Sequence, residues 1–405
     1  MEPQITHSKH HPDVVVIGGG LAGLTAAATV TAAGKRVLAL EKRGVVGGDA
    51  RSMVQSGFTL NQGPHALYRG GPAERILTEL GVKLNGGAPP VEGRIVFDGE
   101  TYVAPAGPST LLQTKALGVR DKVEVAKMLG QAPKFRPSDY ARQTVSEWID
   151  SMVTRERPRQ LAHMLTRLTS YANHPDVMSA EVAAQQIQLG LGPGVLYLDG
   201  GWQTLVDQLL AKPGVEVRTG EAVTELPDAP AVIIAGGGPT TASKLLGRSF
   251  DVGPSAQVSC IDLGLRRPPD HDIVLGGDAP FYFSNHSGVA DLAPKGHHLT
   301  GAMQYLAEAD EPDPEAIRAI AAHAGVTDDD IVHSRKLHRM TAVSAVATAE
   351  LGGLAGRPKA TDTGHDNVFL AGDWVGPEGH LADAAIASGR AAADAALRQL
   401  AKVAA

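Results

Sequence analysis

Three observations predict an α/β fold with a parallel sheet built from separated parts of the chain. The β-branched run Asp13–Ile17 passes directly into Gly18-Gly19-Gly20-Leu21-Ala22-Gly23, and an alanine-rich helical stretch to Ala33 follows. Gly34 then stops the helix before a second strand, Arg36–Leu40. This is a β-α-β unit of about 30 residues, the size a crossover requires. Far downstream, Val215–Leu226 and Ala231–Ala235 are strand-rich, and Val368–Leu370 opens a strand–turn–helix that runs to the end of the chain.

The segments between these strands have a different character. Val145, Trp148, Ile149 and Met152 recur at helical spacing, as do Leu161, Leu165 and Leu168. Residues 253–360 combine alternating apolar segments, such as Ser259–Leu265, with helical signals over Pro314–Ala324. The expected organisation is a discontinuous Rossmann-like domain from residues 1–104, 199–252 and 361–405, with an α+β substrate domain from residues 105–198 and 253–360. The Pro/Gly-rich stretch Asn85–Pro90 reads as a loop.

Composition narrows the function. A chain of 405 residues fits two folded units, and 43% hydrophobic with 20% charged residues is globular. Net charge is −7 without a Lys/Arg run, which argues against a nucleic-acid partner. The single cysteine, Cys260, excludes an internal disulfide and a multi-thiolate metal site. Of the 15 histidines, the pairs His10-His11 and His297-His298 are adjacent, and neighbours on a strand point to opposite faces, so no metal is expected. No Gly-x-Ser-x-Gly elbow supports a hydrolase. Met1–Pro12 is polar with no apolar signal region, and no run of about 18 apolar residues is present. The expected location is therefore cytoplasmic, with peripheral membrane contact through an apolar substrate entrance left open.

The first chemical motif is Gly18-x-Gly20-x-x-Gly23 between strand and helix. Gly18 permits the tight turn, Gly20 lets a pyrophosphate approach, and Gly23 allows close helix–strand packing. The N–H groups of Leu21 and Ala22 begin the helix and face the phosphates with its positive dipole end. Glu41, with Lys42 beside it, lies roughly 20 residues on, where an acid accepts ribose hydroxyls and repels a 2′-phosphate. A second glycine pair, Gly47-Gly48, leads to Asp49 and Arg51. In the third motif, the strand Val368–Leu370 ends in Ala371-Gly372-Asp373-Trp374, and Gly379-His380-Leu381-Ala382 starts another helix. Two distant contact regions suit the long dinucleotide FAD better than NAD.

Together these motifs resemble the flavin-containing amine oxidase and phytoene desaturase superfamily, closest to its phytoene-desaturase-like branch. Asn61-Gln62-Gly63-Pro64-His65 and Tyr197-Leu198-Asp199-Gly200-Gly201-Trp202 extend the resemblance. It implies non-covalent FAD held by the first glycine turn, Glu41, Gly48, Gly63, Pro64 and His65. Val223 would meet the adenine, Ala235 and Gly236 would lie along the dinucleotide, and Gly372 and Asp373 would hold the ribityl-phosphate region. The Leu381 and Ala382 N–H groups would face the pyrimidine edge. Many relatives carry a basic residue directly after the second glycine pair, where this chain has Asp49, so Arg51 is the expected phosphate contact. His65 is the one candidate catalytic residue, set against a local structural role. Tyr282, His286, His338 and Arg339 are candidates for lining the substrate side.

The expected activity is FAD-dependent oxidoreduction, removing a hydride from a C–H bond of an apolar small molecule (lipid-like, isoprenoid or polycyclic) in desaturase or dehydrogenase fashion. An aromatic content of 4% speaks against an aromatic cage for cationic amines. The alternatives are an oxygen-dependent amine or protoporphyrinogen-type oxidase, and a flavin-dependent isomerase or non-catalytic flavin-binding protein.

Overall fold

The computed structural model describes residues 11–63 and 65–404, so Pro64, residues 1–10 including His10, and Ala405 lie outside the described residues. Strands β1 (Val14–Ile17), β2 (Val37–Glu41), β3 (Val215–Thr219), β4 (Ala231–Ile234) and β5 (Val368–Leu370) form one parallel sheet in the order β3-β2-β1-β4-β5. All residues of β1, β4 and β5 are buried, as a parallel sheet covered on both faces demands.

Helix α1 (Leu21–Ala32) is the crossover between β1 and β2, and it is buried from Leu21 through Val30. The C-terminal helix packs across it at glycine distance: a Cβ on Gly389 would sit 2.3 Å from the Ala22 carbonyl oxygen. The first part of the sequence and its last helix therefore share one layer of the core, through Ala26, Val30, Ala392 and Ala396.

A second, seven-stranded sheet runs Ile331–Val343, Ala256–Leu265, His298–Leu306, Phe281–Asn285, Ile273–Gly276, Arg94–Phe97, Glu100–Val103. The hairpin 94–103, expected with the nucleotide-binding residues, pairs here instead, because Arg94–Phe97 finds a parallel partner in Ile273–Gly276. Ser259–Leu265 reads as alternating, yet Ala256–Leu265 is buried almost throughout. Val258 and Cys260 face one helical layer, while Ile261, Leu263 and Leu265 face the helix Pro314–Ala322. Asn85–Pro90 also differs from its reading as a loop, because Gly86–Gly87 pairs with Val195–Leu198. Only glycine fits there, since a Cβ on Gly86 would lie 1.9 Å from the Tyr197 carbonyl oxygen.

The helical insertion forms as its spacing predicts. Val145–Met152 starts with a capping box in which Thr144 and Glu147 satisfy each other's backbone N–H groups. Helix α2 (Glu156–Ser170) follows and buries Leu161 and Met164 against the second sheet. The long C-terminal helix is α3 (Ala382–Ala404). Among the described residues no helix is long and apolar enough to cross a membrane.

Candidate functional site

The glycine turn is assembled by backbone contact. Gly18 has φ of 113°, and a Cβ there would lie 2.7 Å from the Gly236 backbone. The Ala235 N–H donates to the Ile17 carbonyl at 2.8 Å, which fixes Ala235 and Gly236 beside the turn. A Cβ on Gly23 would lie 2.0 Å from the Gly18 carbonyl oxygen, so α1 can press against β1 only with glycine there. Gly20 is the opposite case, with open space and no atom within 4 Å of where a Cβ would stand. As the N-cap of α1 it has no side chain to bond the first N–H groups of Leu21, Ala22 and Gly23, which are left for an anion.

Glu41 is buried at the end of β2. Its Oε2 accepts the Gly19 N–H and its Oε1 the Arg43 N–H, both at 2.8 Å. The carboxylate thus also shapes the turn, while each oxygen retains a second lone pair for a ribose hydroxyl. The Glu221 N–H donates to the Glu41 carbonyl and brings Val223 alongside, half-buried against the cluster containing Ile17 and Ile234. The Gly47 N–H donates to the Gly19 carbonyl at 2.7 Å, and a Cβ on Gly48 would lie 3.2 Å from Gly20 Cα. Arg51 follows with a buried Nε that has no partner among the described residues. Lys42 is exposed and joins none of this.

The C-terminal motif meets the same edge. The Ala371 N–H continues the pairing to the Ile234 carbonyl, and the Gly372 N–H donates to Ser388 Oγ at 2.9 Å. Asp373 Oδ2 accepts the Ser344 N–H at 2.7 Å. Burial raises the Asp373 carboxyl above its ordinary value, and Asp49 acts in the same direction across the site. Arg357 donates to the Asp373 carbonyl at 2.9 Å and to the Gly379 carbonyl at 2.8 Å. It ties the two ends of this loop together, and its own burial lowers it to about 10. Leu381 has φ of 54°, a conformation unfavourable for a branched side chain, immediately before α3. His380 is anchored by Nε2–H donating to the Ser170 carbonyl at 2.8 Å, and burial depresses it to about 4.

His65 stands between the two sheets. Its Nδ1–H donates to the Gly63 carbonyl at 2.9 Å, its ring meets Trp202 edge-on at 4.9 Å, and burial lowers its pKa. The turn is held from the second sheet by Arg335, which bonds the Asn61 carbonyl and pairs with buried Asp262. Asn61 Oδ1 accepts from the Trp202 N–H at 3.0 Å and from Ser52 Oγ at 2.6 Å, locking the turn to the loop carrying Arg51. Arg335, Asp262 and Arg357 were not singled out in the sequence, because each acts on a backbone segment far away along the chain.

Behind the His65 turn lies an aromatic interior. A Cβ on Gly63 would lie 3.3 Å from Cys260 Sγ and 3.2 Å from Met340. Near Cys260 gather Tyr68, Tyr171, Tyr197, Tyr282 and Tyr305, each phenol raised above its ordinary value by burial. The Tyr197 hydroxyl bonds that of Tyr282 at 3.0 Å and Ser284 Oγ at 2.8 Å. Tyr171 meets Tyr305 edge-on at 6.1 Å. His286 packs edge-on against Tyr197 at 4.9 Å and is depressed to about 4 by burial. Tyr282 and His286 thus reach this interior, whereas His338 is exposed and Arg339 bonds outward to Gln257 and the Asp310 carbonyl. Low average aromatic content hides a local concentration of five of the chain's 7 tyrosines.

The arrangement fits FAD on three counts. The N-terminus of α1 is uncapped beside the open space at Gly20, the Arg51 Nε is orphaned, and the Gly372-Asp373 loop is fastened to the same strand ends. Among the described residues no three His, Cys, Asp or Glu side chains are grouped to hold a metal ion.

Comparison with known proteins agrees with this geometry. The profile of the flavin containing amine oxidoreductase family matches residues 21–244. Protoporphyrinogen oxidase 2 of Arabidopsis thaliana is 28% identical over 172 residues, covering 41% of this chain and 34% of that protein. Phytoene desaturase of Cercospora nicotianae is 37% identical over 73 residues, covering 18% of this chain and 12% of that protein. The matches thus span about a third or less of these relatives' own length. In structure, cyclohexylamine oxidase from Brevibacterium oxydans superposes with a TM-score of 0.70 at 14% identity, covering 98% of this chain and all of that one.

Proposed function

Because the chain belongs to the flavin containing amine oxidoreductase family, we propose that it is an FAD-dependent oxidoreductase acting on a C–H bond of an apolar small molecule, in the manner of a desaturase or dehydrogenase. The observation that carries this reading is the convergence of Gly18, Gly236 and the Gly372-Asp373 loop on one edge of the parallel sheet. FAD, when bound, supplies the acceptor for the hydride; the substrate loses that hydride and a proton and gains a double bond.

The chain's own residues bind, orient and exclude water. The N–H groups at the start of α1 and the Arg51 side chain hold the pyrophosphate, Glu41 the adenosine ribose, and Asp373 the ribityl chain. The Leu381 and Ala382 N–H groups lie at the positive end of α3, where a developing negative charge is stabilised. His65 is neutral near pH 7 by its lowered pKa and donates to Gly63, so it positions the turn rather than serving as an acid. Cys260 is 1% exposed, which supports non-covalent attachment. Among the described residues the nucleotide unit is drawn from 11–93, 199–252 and 361–404, without the hairpin 94–103.

The purified protein is expected to be yellow and to release FAD on acid or heat treatment, and Asp373→Ala to lower flavin content. A colourless protein that cannot be reconstituted with FAD would overturn the assignment. Stoichiometric peroxide on turnover in air would move the reading to an oxidase.

A further inference from the structure

We propose that the face formed by the helices Pro108–Gln113 and Val119–Gln131 docks on an anionic lipid surface. The inference stands apart from the oxidoreductase reading and does not depend on it.

Large apolar side chains gather in the open on this face. Leu112 is 76% exposed, Val119 81% and Val123 64%. Among the described residues no other stretch as short as 112–123 exposes three, and the remaining ones, such as Val54, Val91 and Val403, stand far apart along the chain. Apolar groups collected in water mark a surface with a partner. The helix spacing accounts for the exposure. In Val119–Gln131 the inner stripe is Val125 and Met128, while Val119, Val123, Ala126, Lys127 and Gly130 are exposed. The two helices make one surface: Lys122 Nζ donates to the Leu112 carbonyl at 2.7 Å, and Leu111 and Val125 share the core beneath.

The charges around these side chains have one sign. In residues 104–137 the exposed charged groups are Lys115, Arg120, Lys127, Lys134 and Arg136, all cations, in a chain whose net charge is −7. The acids of this stretch are drawn away from the face. Asp121 is buried and pairs with Arg155. Glu124 accepts from the Thr154 hydroxyl at 2.6 Å and from the Thr154 and Arg155 N–H groups.

This chemistry selects the partner. Aliphatic tips beside Lys and Arg match the boundary of a bilayer, where the tips enter the acyl region and the cations stay among the headgroups. An anionic leaflet attracts each such cation, so negative lipid is preferred to neutral lipid. A protein partner would be gripped by aromatic anchors, and no Phe, Tyr or Trp is exposed in residues 104–137. The contact is peripheral, because among the described residues no helix is long and apolar enough to cross a membrane.

The test sediments the purified full chain with vesicles of phosphatidylcholine alone, and of phosphatidylcholine with phosphatidylglycerol in equal parts. Binding to the anionic vesicles is expected to be roughly tenfold tighter and to weaken as salt is added. Leu112→Ser with Val123→Ser should reduce it roughly tenfold, with thermal melts showing the variant folded. Arg120→Gln with Lys127→Gln should remove most of the preference for anionic lipid. Val403→Ser, an equally exposed change outside the face, should bind as the unmodified protein does. No binding to anionic vesicles, no preference for them, unchanged binding without Leu112 and Val123, or equal loss in Val403→Ser would each overturn the proposal. So would binding to a DNA duplex in place of vesicles, which would assign the face to a polyanion. A yellow protein that ignores vesicles loses the docking face and keeps the flavin reading, whereas a colourless one that binds them does the reverse.

Discussion

Asp383 illustrates how single side chains near the site serve two demands. It is 2% exposed in the first turn of α3, and Oδ1 accepts the Ala73 N–H at 2.8 Å, capping the helix Pro72–Glu79. Burial, with help from Glu378 and Glu74, raises its pKa to about 7. A carboxyl raised in the folded state binds its proton more tightly there than in the unfolded chain. Its contribution to stability is therefore full below pH of about 4 and is lost as pH rises through about 7. Asp383→Asn keeps the acceptor for Ala73 and removes the charge. Thermal melts between pH 4 and pH 8 should show the variant gaining on the unmodified protein as pH rises, by on the order of a few kcal/mol at the upper end. Parallel melting curves for the two proteins would show that the carboxyl does not titrate in this window. Glu41 makes the related point that an acid spaced to meet a ribose also shapes the turn before it.

At the scale of elements, glycine marks where helices must approach other backbone. Gly389 lets α3 cross α1, with a substituted Cβ 2.3 Å from the Ala22 carbonyl, while Gly130 in the helix Val119–Gln131 has no neighbour within 4 Å. The same change should therefore act in opposite directions. Gly389→Ala is expected to destabilise by about 1–3 kcal/mol through overpacking. It should also weaken flavin retention, because α1 carries the phosphate-facing N–H groups. Gly130→Ala is expected to stabilise by up to about 1 kcal/mol through helix propensity alone. Denaturant midpoints and flavin content measure both effects, and equal shifts of the two variants would refute the packing argument. The hairpin 94–103 shows the limit of reading elements singly. Its sheet is set by the partner strand Ile273–Gly276, about 180 residues away.

Across the whole molecule, the proposed cofactor lies where separate passes of the chain meet, so it should act as a strut. Ligand that binds only the folded state stabilises by mass action, about 4 kcal/mol at a free concentration a thousandfold above Kd. Removing the flavin should lower Tm by several degrees, and adding FAD back should restore it. Differential scanning calorimetry of both forms reads this directly; coincident transitions would mean that the cofactor does not bridge the core.

What the sequence by itself determined was local. The turn Gly18–Gly23, its flanking strands and Glu41 lie within one β-α-β unit, so their geometry follows from short-range backbone constraints. The Gly372-Asp373 turn and the helix after it were legible for the same reason. What only the tertiary structure decided was which distant groups these motifs meet. Arg357 fastens Asp373 to Gly379, Arg335 holds the Asn61 carbonyl, and tyrosines from separate elements meet, Tyr197 with Tyr282 and Tyr171 with Tyr305. Periodicity shows which face of an element is buried but carries no record of its partner, and the chemistry of the site is made by those partners.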